Sequence, residues 1–371
     1  MKFAFCLFKY FPFGGLQRDF LRIAKACVHR GHQVDVFTMA WEGEPEPAIT
    51  VHIVPVTKLQ NHSRAQQFVK QIQPQLLKYD LVVGFNKMPG IDVYYAADTC
   101  YQAKARKQHS VWYRLTPRYR HLITYENAVF SVDARMTILL LSKMQQAEFI
   151  HFYKTQAERF RLLPPGIAKD RIAPVNAAEI RSSVRGKLGI HANDLLLLLV
   201  GSGFKTKGLD RVLLAYAALP DELKDRTYVY IIGEDNPKVF QKQARKLRIE
   251  SRIKFLGGRH DVADFLLAAD LLLHPAYNEN TGTVLLEALA AGLPVLTTDV
   301  CGYAHYVREA RAGVVVASPF QQLEFNRVLA EMLLSSEYAN WKKNASMFAQ
   351  QADIYSLPER VVDILVASSK R

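Results

Sequence analysis

At 371 residues the chain exceeds one ordinary core and suits two, taking roughly 100–200 residues per domain. A composition of 49% apolar, 11% aromatic and 22% charged residues excludes a disordered chain, and no apolar run nears the roughly 18–20 residues that span a bilayer as a helix. The formal charge of +13 predicts attraction to polyanions, among which phosphorylated sugars, anionic lipid headgroups and nucleic acids all qualify.

The chain opens on an apolar stretch, Phe3–Leu7, that reads as a strand. Gly14-Gly15 follow as its loop, and Leu16–Arg30 reads as a helix with Leu16, Phe20, Ile23 and Ala24 on one face. Gly31-His32 ends that helix and Val34–Thr38 starts another strand. Charged Arg18 and Asp19 arrive too early for a signal peptide, and Cys6, Cys27, Cys100 and Cys301 are too scattered for a disulfide frame or a metal site, so a cytoplasmic protein is expected. Further strands fall at Leu81–Gly84 and Thr137–Leu141.

Pro164-Pro165-Gly166 stops any preceding helix and permits a sharp turn, which places the hinge between domains there. Beyond it the alternation repeats, with strands at Leu195–Val200, Tyr228–Ile232, Ile253–Leu256, Asp270–His274, Val295–Thr298 and Val314–Val316. Strand–glycine–helix repetition of this kind belongs to parallel, doubly wound α/β sheets, whose ligands sit beyond the carboxyl ends of the strands.

The chemistry therefore belongs in the glycine loops. After His274-Pro275 a polar loop carries Glu279, and a helix starts near Gly282 with Glu287 about one turn inside it. Helical side chains lean toward the N-terminus, so Glu287 points back at the space Glu279 borders, alongside the N–H groups that Thr281, Gly282, Thr283 and Val284 leave free; Asn280 lies on the same approach. Phosphate prefers the amides and repels carboxylates, which leaves each Glu to accept from sugar hydroxyls, one on a ribose and one on a hexose. A solvated Glu279 and a Glu287 that merely completes a helical turn is the competing reading. Gly201-Ser202-Gly203-Phe204-Lys205-Thr206-Lys207-Gly208 also joins a strand to a helix, so Lys205 and Lys207 fit a diphosphate, unless the loop is only a solvated turn.

The spacing of the two glutamates, set between His274-Pro275 and the passage Ala288 to Val295, resembles the retaining family 4 glycosyltransferases. Tyr10 to Phe20, Gly84 to Gly90, Pro164 to Ile167 and Val300 to Tyr306 resemble, within that family, the lipopolysaccharide core enzymes that add the first hexose to the inner-core heptose. The resemblance runs almost the full length. It implies a GT-B fold of two Rossmann-like doubly wound domains facing a cleft, at residues 1–165 and 166–350, with a helical segment at 351–371 returning to the first. It implies a uridine diphosphate hexose donor, retention of configuration and no metal, in keeping with the absence of any Asp-x-Asp pair to carry a divalent ion.

Under this likeness Lys207 stabilises the leaving diphosphate, Glu279 fixes the hexose, Glu287 the ribose, and Arg259 lies beside the uracil ring. Gly14 and Gly15 let the diphosphate approach the backbone, and Asp19 orients hydroxyls, where the alternative is a carboxylate that serves only the helix dipole. Ser202 departs from the Arg that many relatives carry after the loop's first Gly. Asp98 and Arg171 stand as acceptor-side candidates. Between Tyr101 and Tyr125, Lys104, Arg106, Lys107, Arg114, Arg118 and Arg120 alternate with Trp112 and tyrosines and no acid. That pattern suits docking on an anionic membrane surface, at the cytoplasmic face where a lipid-linked acceptor lies, in preference to a solvated basic face or to nucleic acid, for which no binding motif is present. The readings that compete are an epimerase or phosphorylase on the same fold, and a polyanion-binding protein without turnover.

Overall fold

The computed structural model describes residues 1–12, 14–44 and 46–369; Phe13, in the glycine-loop motif, lies outside the described residues. The chain forms two compact units, residues 1–166 with 355–371 and residues 167–354. It passes between them at 166/167 and 354/355, where Ile167 N–H donates to the Ile354 carbonyl at 2.9 Å.

The first unit is built on β1 (Lys2–Cys6), β2 (Gln33–Thr38), β3 (Thr50–Ile53), β4 (Leu81–Gly84), β5 (Val93–Ala96), β6 (Thr137–Leu140) and β7 (Phe160–Leu162), in the sheet order β3-β2-β1-β4-β5-β6-β7. Its strand pairings are parallel, as in Phe3↔Val34 and Phe3↔Leu81. Helices must then cover both faces, which is why the central strands are apolar throughout. On one face Phe5, Leu7 and Val83 pack against Phe20, Ile23 and Cys27 of the helix Gly15–His29 and against Val361, Val362 and Leu365 of the helix Leu357–Ser369. On the other, Tyr94, Ile138 and Leu140 meet Phe68, Val129, Phe130 and Phe149. Gly166, last residue of the predicted hinge, is confined by this packing: a Cβ there would lie 2.5 Å from that of Leu357.

The second unit carries β8 (Leu195–Val200), β9 (Thr227–Ile232), β10 (Ile253–Phe255), β11 (Leu271–His274), β12 (Val295–Thr298) and β13 (Gly313–Val316), ordered β10-β9-β8-β11-β12-β13 and again parallel. Leu196, Leu197, Leu198 and Leu199 are wholly buried, which explains the unbroken apolar run of β8. Both sheets are doubly wound, Rossmann-like structures. Strand order reverses between β1 and β4 in the first and between β8 and β11 in the second, and such reversals open crevices at the carboxyl edge. All four cysteines are buried and free.

Candidate active site

In the second unit, the loops that follow β8 and β11 flank the reversal of strand order. The loop after β8 turns through Gly201, Gly203 and Gly208 at φ of +140°, +78° and +80°, conformations that a side chain would strain. A Cβ on Gly201 would lie 3.1 Å from Lys207 Cε, so the lysine stem runs along bare backbone. A Cβ on Gly208 would fall on the Pro275 carbonyl, so this glycine seats the lysine loop directly on the end of β11. Tyr277 N–H donates to Thr206 O at 2.8 Å, and Arg211 Nη1 donates to the Pro275 and Ala276 carbonyls at 3.0 and 2.9 Å. On the far side, Gly302 and Tyr303 donate their N–H groups to Glu279 O and Thr281 O at 3.2 and 2.7 Å. The motif from Val300 to Tyr306 thus pins the glutamate loop from the end of β12.

What these staples hold is an ion cluster. Lys207 Nζ donates to Glu279 Oε2, and His274 Nε2 stands 3.4 Å from the same oxygen. Burial alone would raise the Glu279 pKa, but His274 and Lys207 outweigh it and bring it down to about 2. Burial would likewise lower the His274 pKa, yet the Cys301 sulfur and the Glu279 carboxylate carry it up to about 9. Sequence reasoning brought Lys207 and Glu279 to one place and missed His274, which it treated only as a strand end. The available signal was a histidine closing an otherwise apolar strand.

The helix Thr283–Ala290 starts immediately beyond, with Gly282 as its N-cap at φ +79°. Its first N–H groups have no partner within the helix and open on the loop that carries Asn280 and Thr281. Thr281 and Thr283 face each other, their hydroxyls 3.5 Å apart, while Val284 is buried. Glu287 is 5% exposed, and Arg171 Nε stands 3.7 Å from its Oε1. Arg171, expected on the acceptor side, is brought to this second glutamate by the short helix Lys169–Arg171.

Other residues point elsewhere. Lys205 Nζ donates to Asp210 at 2.6 Å and to the Tyr277 hydroxyl at 3.1 Å, so it braces the start of the helix Leu209–Ala217 apart from the Lys207 cluster. Ser202 Oγ accepts from Glu234 N–H at 3.0 Å and ties the end of β8 to that of β9, a local use for the residue that replaces Arg. Arg259 forks onto Asp261 with both bonds at 2.7 Å and lies over Phe265, an arrangement that fixes the orientation of its guanidinium. Among the described residues no group of three or more His, Cys, Asp and Glu side chains is placed to hold a metal ion.

In the first unit the equivalent edge carries Gly14, Gly15 and Asp19. A Cβ on Gly15 would meet nothing within 4 Å, so the N-terminus of this helix faces open space, whereas one on Gly14 would strike Gln17 and Phe11. Close backbone approach is thus available at Gly15. Asp19 lies beyond the first helical turn and accepts at 2.7 Å from the hydroxyl of Tyr95, a residue of β5. Asp98 is exposed in the turn that follows β5.

The basic segment folds as the helix Tyr101–Gln108, a 3-10 turn Val111–Leu115 and the helix Pro117–Phe130. Lys104, Arg106, Lys107, Arg118 and Arg120 are exposed and Arg114 half-buried, with Trp112 at 79%, Val111 at 70% and Leu115 at 59% exposure beside them. The acid absent from this stretch comes next in sequence. Glu126, wholly buried, accepts from Lys87 Nζ at 2.5 Å, Tyr101 N–H at 2.7 Å, Gln102 N–H at 2.9 Å and the Tyr153 hydroxyl at 2.5 Å. It caps the basic helix from outside, and Lys87 lies in the Gly84–Gly90 motif.

Known proteins match the chain over almost its full length. Residues 13–171 fit the model described as Glycosyltransferase Family 4, and residues 181–348 the model described as Glycosyl transferases group 1. The lipopolysaccharide glucosyltransferase WaaG of Escherichia coli is 48% identical over 98% of this chain and 98% of its own. The chain belongs to the family 4 glycosyltransferases, in the WaaG group. It is a glycosyltransferase of the GT-B fold, and the crystal structure of WaaG superposes with a TM-score of 0.93 at 48% identity, covering 98% of this chain and 99% of that one. A D-inositol 3-phosphate glycosyltransferase of Geodermatophilus obscurus is 26% identical over 96% of this chain and 84% of its own. HepE of Anabaena, crystallised with UDP-glucose, shares the fold at a TM-score of 0.77 and 20% identity, over 99% of this chain and 100% of that one.

Proposed function

We propose that this glycosyltransferase moves glucose from its uridine diphosphate donor onto the inner-core heptose of lipopolysaccharide, with retention of anomeric configuration and without a metal. The observation that carries the reading is the contact of Lys207 with Glu279 where strand order reverses, beside an open helix N-terminus: one cation, one carboxylate and free amides within one loop cluster. Diphosphate chemistry needs the cation and the amides, and hexose hydroxyls need the carboxylate. The glucose and the lipopolysaccharide acceptor are proposed from the likeness to WaaG.

On this reading donor binding draws Lys207 from Glu279 to the diphosphate, Glu279 accepts from the hexose, and Glu287, braced by Arg171, accepts from the ribose. Ser202, Lys205 and Arg259 line the outer edge of the donor site. The acceptor hydroxyl attacks from the face the diphosphate leaves, a diphosphate oxygen takes its proton, and the protein supplies charge stabilisation and alignment. The exposed Trp112 and its surrounding cations dock the enzyme on the anionic cytoplasmic face of the membrane; no described helix is long and apolar enough to cross one.

The test pairs the protein with UDP-glucose, UDP-galactose and UDP-N-acetylglucosamine, with and without lipopolysaccharide truncated at the heptose, in EDTA and in magnesium. The expected result is acceptor-dependent release of UDP from UDP-glucose, indifferent to EDTA, with a product that keeps the donor's anomeric configuration. Conversion of donor without acceptor identifies an epimerase instead. Salt-sensitive polyanion binding with no turnover of any donor identifies a binding protein.

A further inference from the structure

His274 is the last residue of a strand whose other members, Leu271, Leu272 and Leu273, are buried and apolar. It is 1% exposed, and among the described residues neither of its ring nitrogens completes a hydrogen bond. An imidazole is costlier to bury here than the leucine that would pack in its place, and buried polar groups kept at such cost mark functional sites. Its backbone is fixed independently of the ring: the His274 carbonyl accepts from Thr297 Oγ1 and from Ala276 N–H, each at 2.9 Å. The ring itself faces Glu279 Oε2 across 3.4 Å, the oxygen that Lys207 also takes, with the Cys301 sulfur close by. Glu279 is thus approached by two groups, one from the loop after β8 and one from β11, and only the lysine sits on a long flexible stem.

A diphosphate that attracts Lys207 removes that contact. A carboxylate this deeply set then needs another partner, or it withdraws from the hexose or takes up a proton. We propose that the buried imidazole of His274 is a positioning residue for hexose recognition, holding Glu279 in place when Lys207 turns to the diphosphate. This rests on the roles assigned above to Glu279 and Lys207. His274 touches no part of the donor and acts through Glu279 alone.

UDP and UDP-glucose serve as paired probes, since only the second carries the hexose. Dissociation constants for both, and acceptor-dependent kcat with UDP-glucose, are measured for the wild type, His274→Leu, His274→Gln and Glu279→Gln. The expected result for His274→Leu is UDP affinity within twofold of wild type, loss of the extra affinity that the hexose confers, and a kcat reduced tenfold or more. His274→Gln, whose amide nitrogen reaches the place of Nε2, recovers at least half of that loss on a logarithmic scale. UDP binding shows that the variants are folded. If His274→Leu keeps the hexose contribution and the kcat while Glu279→Gln loses both, the proposal for His274 is overturned and the reading of Glu279 stands. A Glu279→Gln variant that keeps both overturns that reading and, with it, this one.

Discussion

Gly208→Ala isolates the junction on which the Lys207–Glu279 pairing depends. Gly208 and Gly189 belong to the same unit and share a left-handed backbone, at φ of +80° and +69°. In Gly189→Ala the new methyl meets nothing within 4 Å, so the cost is conformational only, about 1–2 kcal/mol. In Gly208→Ala the same strain applies, and the methyl also overlaps the Pro275 carbonyl and would lie 2.7 Å from its carbon. Pro275 cannot withdraw freely, because its oxygen accepts from Arg211, whose guanidinium is clamped 3.6 and 3.7 Å from the ring centroids of Tyr277 and Phe320. Relieving the overlap means parting the lysine loop from the end of β11, so a total of about 3–5 kcal/mol is expected. Urea unfolding followed by tryptophan fluorescence and far-UV dichroism reads stability, with Gly189→Ala as the reference, and UDP-glucose turnover reads the site. The two variants should differ by about 2 kcal/mol or more, and Gly208→Ala alone should lose turnover. Equal stabilities, or normal turnover in Gly208→Ala, would refute the claim that this glycine seats the loop.

Lys207→Met should lower kcat/KM for UDP-glucose by about 100- to 1,000-fold, the range for loss of one charge-stabilising donor, while a circular dichroism spectrum checks that the fold survives. Glu279 is held at about pKa 2 against an ordinary 4.5, so its ionisation stabilises the native state above the unfolded value and that contribution drains away as pH falls from about 4.5 toward 2; Glu279→Gln should flatten acid unfolding curves across that window. Glu126→Gln strands Lys87, only 12% exposed, without its carboxylate and weakens the cap on the basic helix, which should cost about 3–5 kcal/mol in urea unfolding, whereas Lys107→Gln, at an exposed pair, should cost under about 1 kcal/mol. Trp112→Ala combined with Arg118→Glu and Arg120→Glu should abolish sedimentation with vesicles rich in anionic lipid, with donor affinity in solution unchanged.

How much of this was legible in the sequence follows from how locally each feature is determined. The strands β8, β9, β11 and β12 announce themselves because a buried parallel strand needs apolar residues on both faces, as Leu195–Val200 shows. β3 and β7 do not: Thr50–Ile53 and Phe160–Leu162 pair at sheet edges, carry His52 and Arg161, and have exposed residues on both faces, so neither run nor alternation survives. Lys207 and Glu279 could be named because glycine loops after strands fall at the same sheet edge by topology alone. Their mutual contact could not, since it depends on Gly208 lacking a Cβ against Pro275, a fact of packing between residues far apart in the chain. Glu126 was invisible for the same reason, its partners Lys87, Tyr101 and Tyr153 arriving from three separate elements.

The electrostatics of the ion cluster place a constraint on the donor site that no single residue carries. Glu279 has Lys207 and His274 beside one oxygen, and Glu287 has Arg171, so each of these two carboxylates has a cation or a histidine within 4 Å. On the proposed function, a diphosphate entering this cluster takes over Lys207, and the hexose hydroxyls then replace that cation at Glu279 with neutral donors. Neutral donors stabilise a buried carboxylate less than a cation does. Donor binding is therefore favourable only if the amides of Thr283 and Val284 and the charge of Lys207 return more on the diphosphate than Glu279 loses. A nucleoside such as uridine, which offers hydroxyls without phosphate, should accordingly bind far more weakly than UDP, and by isothermal titration the difference should shrink in Lys207→Met. If uridine and UDP bound alike, the exchange of Lys207 between carboxylate and phosphate would have no part in donor recognition.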